Sequence, residues 1–186
     1  MLALSDAIRE GKIPNAEIAI VVSDKAAARG VEAAKERGHE VVVIERSGRS
    51  REEHEREIIS VLQQYQVDLV CLAGYMRLLS PCFIEAFRMR ILNIHPSLLP
   101  AFPGLDAQRQ ALEHGVKMSG CTVHFVDNQY DHGPVLLQRQ VEVLPDDTPE
   151  SLQARVFAAE CEAYPEALRR LAAGRIAVRD GDVATD

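Results

Sequence analysis

Asn93 and His95 stand two apart at the end of an apolar run, Ile91-Leu92-Asn93-Ile94-His95, and Pro96, Pro100 and Pro103 follow. On an extended backbone, residues two apart share a face, so an amide and a titratable imidazole point into the same space. Pro96 cannot donate to a ladder and takes the chain out of the sheet. A group that passes a proton beside a group that hydrogen-bonds is what proton-transfer chemistry needs. The same pair also fits an ordinary polar strand end, and only its surroundings decide between the two.

Those surroundings alternate strand and helix. Apolar, β-branched runs at 17–23, 41–44, 68–73 and 90–94 have strand length, and amphipathic stretches at 1–11, 26–38 and 50–65 lie between them. Ser50-Arg51-Glu52-Glu53 has the form of a capping box, with Ile58, Ile59, Leu62 and Tyr65 expected inward. Ser80-Pro81 opens a further short helix. Near-continuous apolar strands separated by helices predict a parallel sheet covered on both faces, a Rossmann-like α/β fold. Ligands of such sheets bind beyond the strand C-termini, where Gly74 and His95 both fall. Farther on, 106–114 is expected to be helical, with Asp106 as its N-cap. Strands at 120–126 and 134–141 follow as an antiparallel pair. The spacer Asp127-Asn128-Gln129-Tyr130-Asp131-His132-Gly133 between them is long for a tight hairpin, a feature often tied to function. A long helix over 149–173 and an edge strand over 175–179 close a single domain, 1–186.

Composition narrows the function classes. The 186 residues carry a formal net charge of -7, which argues against nucleic acid as the main partner. No apolar run reaches the roughly 18–20 residues of a membrane span. Cys71, Cys82, Cys121 and Cys161 are scattered, without metal spacing. They predict reduced, mostly buried thiols in a cytoplasmic protein, and no metal. His124, inside an apolar strand, is expected to be structural. His39, His54 and His114 are expected at the surface, and His132 away from the site.

Three segments in order carry a resemblance over nearly the whole chain: Leu72-Ala73-Gly74-Tyr75-Met76-Arg77-Leu78-Leu79-Ser80, then Asn93-Ile94-His95-Pro96-Ser97-Leu98-Leu99-Pro100, then Gly120-Cys121-Thr122-Val123-His124-Phe125-Val126 with Asp131-His132-Gly133-Pro134. Together they resemble folate-dependent formyltransferases. The resemblance implies the formyltransferase fold and transfer of a formyl group from 10-formyltetrahydrofolate to the glycinamide amine of a ribonucleotide in purine synthesis, without metal. It implies His95 as the catalytic histidine, Asn93 as the catalytic asparagine and Asp131 as the carboxylate that supports the histidine. Met76, Arg77, Leu78 and Leu79 match the segment lining the pterin pocket, and Val126, Asp127 and Asn128 the connection that closes over it. Arg51 matches an arginine that meets the acidic tail of the co-substrate. Gly74, Pro96 and Glu160 match positions on the ribonucleotide side of the cleft. Small molecules are the expected partners, with neither nucleic acid nor membrane, and a homodimer is left open.

Members of this family begin with a strand and a Gly-rich turn that presents backbone N–H groups to the substrate phosphate. Read from Met1 as written, the chain is expected to lack them, to leave neighbouring strands without ladder partners, and to bind the ribonucleotide weakly while keeping part of the folate pocket. Asp106 also stands where relatives often carry His. The alternatives are a 10-formyltetrahydrofolate hydrolase and a catalytically impaired folate-binding module. A methionyl-tRNA formyltransferase should carry a further basic domain, for which this acidic chain has no room.

Overall fold

The computed structural model describes residues 1–174, 176–179 and 182–185. Two parallel strand pairs realise the strand–helix alternation. β1 (Val21–Ser23) runs beside β2 (Val41–Val43), with α2 (Arg29–Glu36) between them in sequence. β3 (Val70–Cys71) runs beside β4 (Ile91–His95). Strand β4 also pairs antiparallel with β5 (Met118–Phe125), which pairs antiparallel with β6 (Val135–Glu142), giving the order β3-β4-β5-β6. The fold is thus the expected mixture of parallel sheet, covering helices and an antiparallel strand pair. The antiparallel register starts at β4, one strand earlier than the sequence pattern indicates. Among the described residues, β1–β2 forms a separate two-stranded sheet, with no ladder joining β1 to β3.

Local side-chain caps set the starts of two helices near the site. Ser50 and Glu53 form the predicted capping box at the start of α3 (Arg51–Gln64). The Ser80 hydroxyl accepts from Phe83 N–H ahead of α4 (Pro81–Ala86). Asp106 precedes α5 (Ala107–Glu113) but does not cap it: its φ of +57° turns the side chain away from the first-turn N–H groups. Strands β1 and β3 are shorter than their apolar runs. The apolar residues beyond them, Ile20 and Leu72, pack against the core, and Leu72 N–H still donates to the Leu92 carbonyl of β4 at 2.8 Å.

Two apolar layers flank the sheets. Ile59 and Leu62 of α3, Leu79, Phe83, Ile84 and Phe87 around α4, and Ile91 of β4 form one. The other joins α1 (Leu2–Arg9) and α6 (Pro149–Ala172) to Leu92, Cys121, Val123 and Phe125. Buried Tyr164 of α6 shares its O–H between the carbonyls of Leu72 (3.1 Å) and Leu92 (3.0 Å), fixing the helix where β3 ends beside β4. Among the described residues, β7 (Ile176–Arg179) pairs with β8 (Asp182–Thr185) and has no ladder to the main sheet, where an edge strand was expected. Arg175 lies outside the described residues.

Several histidine and cysteine expectations need correction. His54 is buried, and its Nε2 lies 2.7 Å from the Ile44 carbonyl. His39 is half-buried against the Ser5 hydroxyl at 2.6 Å. His114 is exposed as expected. Of the four free thiols only Cys121 is fully buried, and Cys82 is exposed.

Candidate active site

Strand β4 delivers Asn93 and His95 on one face, at the C-terminal end of the parallel portion of the sheet. His95 is 4% exposed, and its partners explain how burial of its ring is tolerated. Its Nε2 donates to the Phe102 carbonyl at 2.9 Å, and its Nδ1 lies 3.3 Å from Asp131 Oδ2. Both ring nitrogens therefore face acceptors. A neutral ring can donate to only one of them, and a second hydrogen satisfies both.

Each flanking group is held by backbone geometry. Phe102 (φ +53°) and Asp131 (φ +48°) both adopt the left-handed conformation, which side-chain-bearing residues avoid unless their surroundings enforce it. Asp131 Oδ2 also accepts from Gly104 N–H at 2.8 Å, tying the 127–133 connection to the loop after β4. That loop is anchored below by buried Thr122, the register partner of His95. Its hydroxyl donates to the Ser97 carbonyl (2.7 Å) and accepts from Leu99 N–H (3.0 Å).

Asn93 faces His124 across the β4–β5 ladder, with Nδ2 and Nε2 3.3 Å apart. His124 is a residue that sequence reasoning assigned to structure alone, because an apolar strand context hides which partner its ring meets. Its Nδ1 donates to the Phe125 carbonyl at 2.8 Å, which leaves Nε2 as an acceptor for the Asn93 amide. Burial lowers the His124 pKa, keeping that acceptor free of a proton. Asn93 is thereby oriented with one N–H committed and the other available to an incoming oxygen. At 3.9 Å, His124 Nε2 and Asp131 Oδ1 are too far apart to bond.

The remaining expected site residues fall into groups. Met76, Arg77, Leu78 and Leu79 follow β3: Met76 is 73% exposed, and Leu79 is in the core. Arg77 pairs with Asp24 at 3.0 Å, and Arg51 of α3 reaches the Leu78 carbonyl at 3.4 Å, so Arg51 and this segment are neighbours. Gly74 takes a φ of +70° where the chain leaves β3, and Pro96 directly follows His95. Val126 and Asp127 are half-buried and Asn128 exposed. His132 bonds Asp127 Oδ2 at 2.7 Å and not the trio. Glu160 lies half-buried on α6, where burial pushes its carboxyl up to about 7. Among the described residues, no cluster of His, Cys, Asp and Glu could hold a metal ion.

An amide, an imidazole and a carboxylate thus come together at a strand end of an α/β fold, the kinds of group that a transfer reaction with a developing oxyanion would use. The sequence profile of the formyl transferase family matches residues 1–168, and the chain belongs to that family. It is 42% identical over 179 residues to phosphoribosylglycinamide formyltransferase of Escherichia coli (strain K12), an alignment covering 96% of this chain and 84% of that protein. It is 45% identical over 174 residues to the trifunctional purine biosynthetic protein adenosine-3 of Drosophila melanogaster, covering 92% of this chain but only 13% of the much longer relative. The crystal structure of glycinamide ribonucleotide transformylase 1 from Symbiobacterium toebii superposes with a TM-score of 0.94 at 51% identity, covering 98% of this chain and 86% of that one.

Proposed function

We propose that the protein transfers the formyl group of 10-formyltetrahydrofolate to the amine of glycinamide ribonucleotide, a step of de novo purine biosynthesis. The observation that carries this reading is the convergence of Asn93, His95 and Asp131, with His124 fixing the Asn93 amide. The amine attacks the formyl carbon, and negative charge gathers on the formyl oxygen. The free N–H of Asn93 donates to that oxygen; one such donor is typically worth about 10² to 10³ in rate. A new C–N bond forms, the bond to the folate nitrogen breaks, and the proton lost by the amine goes to that leaving nitrogen. His95 serves as the proton carrier, and Asp131 steadies its charged form. The Phe102 carbonyl must leave Nε2, or Asp131 must yield Nδ1, before substrate can meet the ring.

In this reading Met76, Arg77, Leu78, Leu79, Val126, Asp127 and Asn128 hold the folate, with Arg51 meeting its acidic tail. Gly74, Pro96 and Glu160 line the ribonucleotide side, all within the single domain 1–186. No helix among the described residues is long and apolar enough to cross a membrane. The free thiols suit a reducing cytoplasm, where we place the reaction. The partners required are small molecules alone, and light scattering on the purified chain reports whether a homodimer forms.

The test incubates the protein with 10-formyltetrahydrofolate, with and without glycinamide ribonucleotide. Release of tetrahydrofolate only when the ribonucleotide is present supports the transferase. Equal release without it identifies a hydrolase, and folate binding without release identifies a binding module.

A further inference from the structure

Glu55 is fully buried, and its carboxylate belongs to none of the groups that carry the chemistry. It projects from α3 one turn after Arg51, on the same helix face. Oε2 accepts from the Ser80 backbone N–H at 2.9 Å, and Oε1 accepts from the Tyr75 hydroxyl at 3.3 Å. Tyr75 and Ser80 bracket Met76-Arg77-Leu78-Leu79, so one carboxylate grips both ends of that segment. Arg51 holds its middle through the Leu78 carbonyl. Burial, and after it the Glu55 charge, pushes the Tyr75 hydroxyl up to about 12, so the hydroxyl stays a donor. Carboxylates are rarely buried this completely unless their position matters, because desolvating one is costly.

The geometry points to Glu55 as a positioning residue for folate recognition: by fixing Tyr75 and Ser80 it sets the backbone of 76–79 against which the pterin is read. This rests on the proposed folate reading of that segment and extends it to a residue outside the pocket. The grip acts on co-substrate binding, while Asn93 and His95 stand on a different strand with their own supports. Its loss is therefore expected in KM for the folate and not in turnover.

Initial rates of the full chain with both substrates varied provide the test, using Glu55→Ala, Glu55→Gln and Tyr75→Phe. Glu55→Ala leaves buried donors unpaired and is expected to raise KM for 10-formyltetrahydrofolate about tenfold or more. The ribonucleotide KM and saturated kcat are expected to stay within about threefold. Glu55→Gln should restore the folate KM to within about threefold, because its carbonyl still accepts from Ser80 and the Tyr75 hydroxyl can turn to accept from its amide. Tyr75→Phe should give an intermediate, folate-selective rise. An unchanged folate KM in all three overturns the proposal, as does a joint decline of kcat and both KM values. Should Glu55→Ala fail to fold, a folate-selective rise in Tyr75→Phe supports the proposal and its absence overturns it. Failure of the underlying folate reading is separately visible in the parent protein, as turnover or binding that never depends on formyl folate.

Discussion

Asn93 and His124 are register partners on adjacent antiparallel strands, and their side chains meet with Nδ2 and Nε2 3.3 Å apart. The Phe125 carbonyl claims the other His124 nitrogen, so the tautomer is dictated by the backbone, and the tautomer in turn dictates which way the Asn93 amide faces. His124→Phe keeps an aromatic ring in the strand but removes the acceptor. The Asn93 amide is then free to rotate and leaves a half-buried donor unpaired. Turnover is expected to fall by roughly 5- to 150-fold, the range set by about 1–3 kcal/mol for an orphaned buried group. Single-turnover rates with both substrates saturating check this, since a folding defect would instead lower the active fraction.

Removing the chemistry itself should cost more. Asn93→Ala is expected to lower kcat by about 10² to 10³, and His95→Ala by about 10² to 10⁴. Affinity for folate should change little in either, because the proposed folate segment sits after β3. Calorimetric titration with tetrahydrofolate beside steady-state rates separates the two effects. Near-parental turnover in either variant contradicts the assigned roles.

The strand-end pair was legible because it depends on local rules: a period of two, followed by prolines. The capping box at Ser50 and the Ser80 cap were legible for the same reason, since each closes within a few residues. Asp131 was not legible from the pattern alone. Its place against His95 depends on a left-handed backbone and a bond from Gly104, which no local spacing encodes. The Phe102 carbonyl at His95 is a backbone atom, so its residue type carried no signal. Helix α3 was misjudged in a different way. Apolar periodicity put Ile59 and Leu62 inward correctly, but His54 was expected at the surface and the pattern gave no sign that Glu55 is buried. They are buried because distant groups, the Ile44 carbonyl and the Ser80 N–H, await them.

Glu160 should shape the dependence of stability on pH. Its carboxyl titrates at about 7 in the folded chain against an ordinary value of 4.5, through burial. Between those pH values the folded chain keeps a proton that the unfolded chain has released, so this group makes stability fall as pH rises from about 4.5 to about 7, and level off above. Glu160→Gln removes that slope. With a discount for its partial solvent access, the variant is expected to be more stable than the parent by roughly 1–2 kcal/mol at pH 8 and about equal at pH 4. Urea unfolding midpoints across that range check the sign. If Glu160 also meets the ribonucleotide, the parent's ribonucleotide KM should vary with pH near 7, and the variant's should not.

Gly133 closes the connection that carries Asp131, and a Cβ built there would lie 1.9 Å from the Phe125 carbonyl oxygen. Phe125 N–H donates to the Pro134 carbonyl at 2.9 Å, so strand and connection are laced together at the point where the methyl group would intrude. The obstacle is backbone, which cannot swing aside as a flexible side chain could. Gly133→Ala must therefore spread β5 from the start of β6 or displace the connection. Overpacking of this kind costs about 1–3 kcal/mol. The displacement also moves Asp131 relative to His95, so activity should fall further than the loss of folded protein explains. Measuring kcat per folded molecule beside the unfolding midpoint distinguishes the two: a variant with parental kcat and a lowered midpoint would mean that the connection tolerates the shift without disturbing the His95–Asp131 pair.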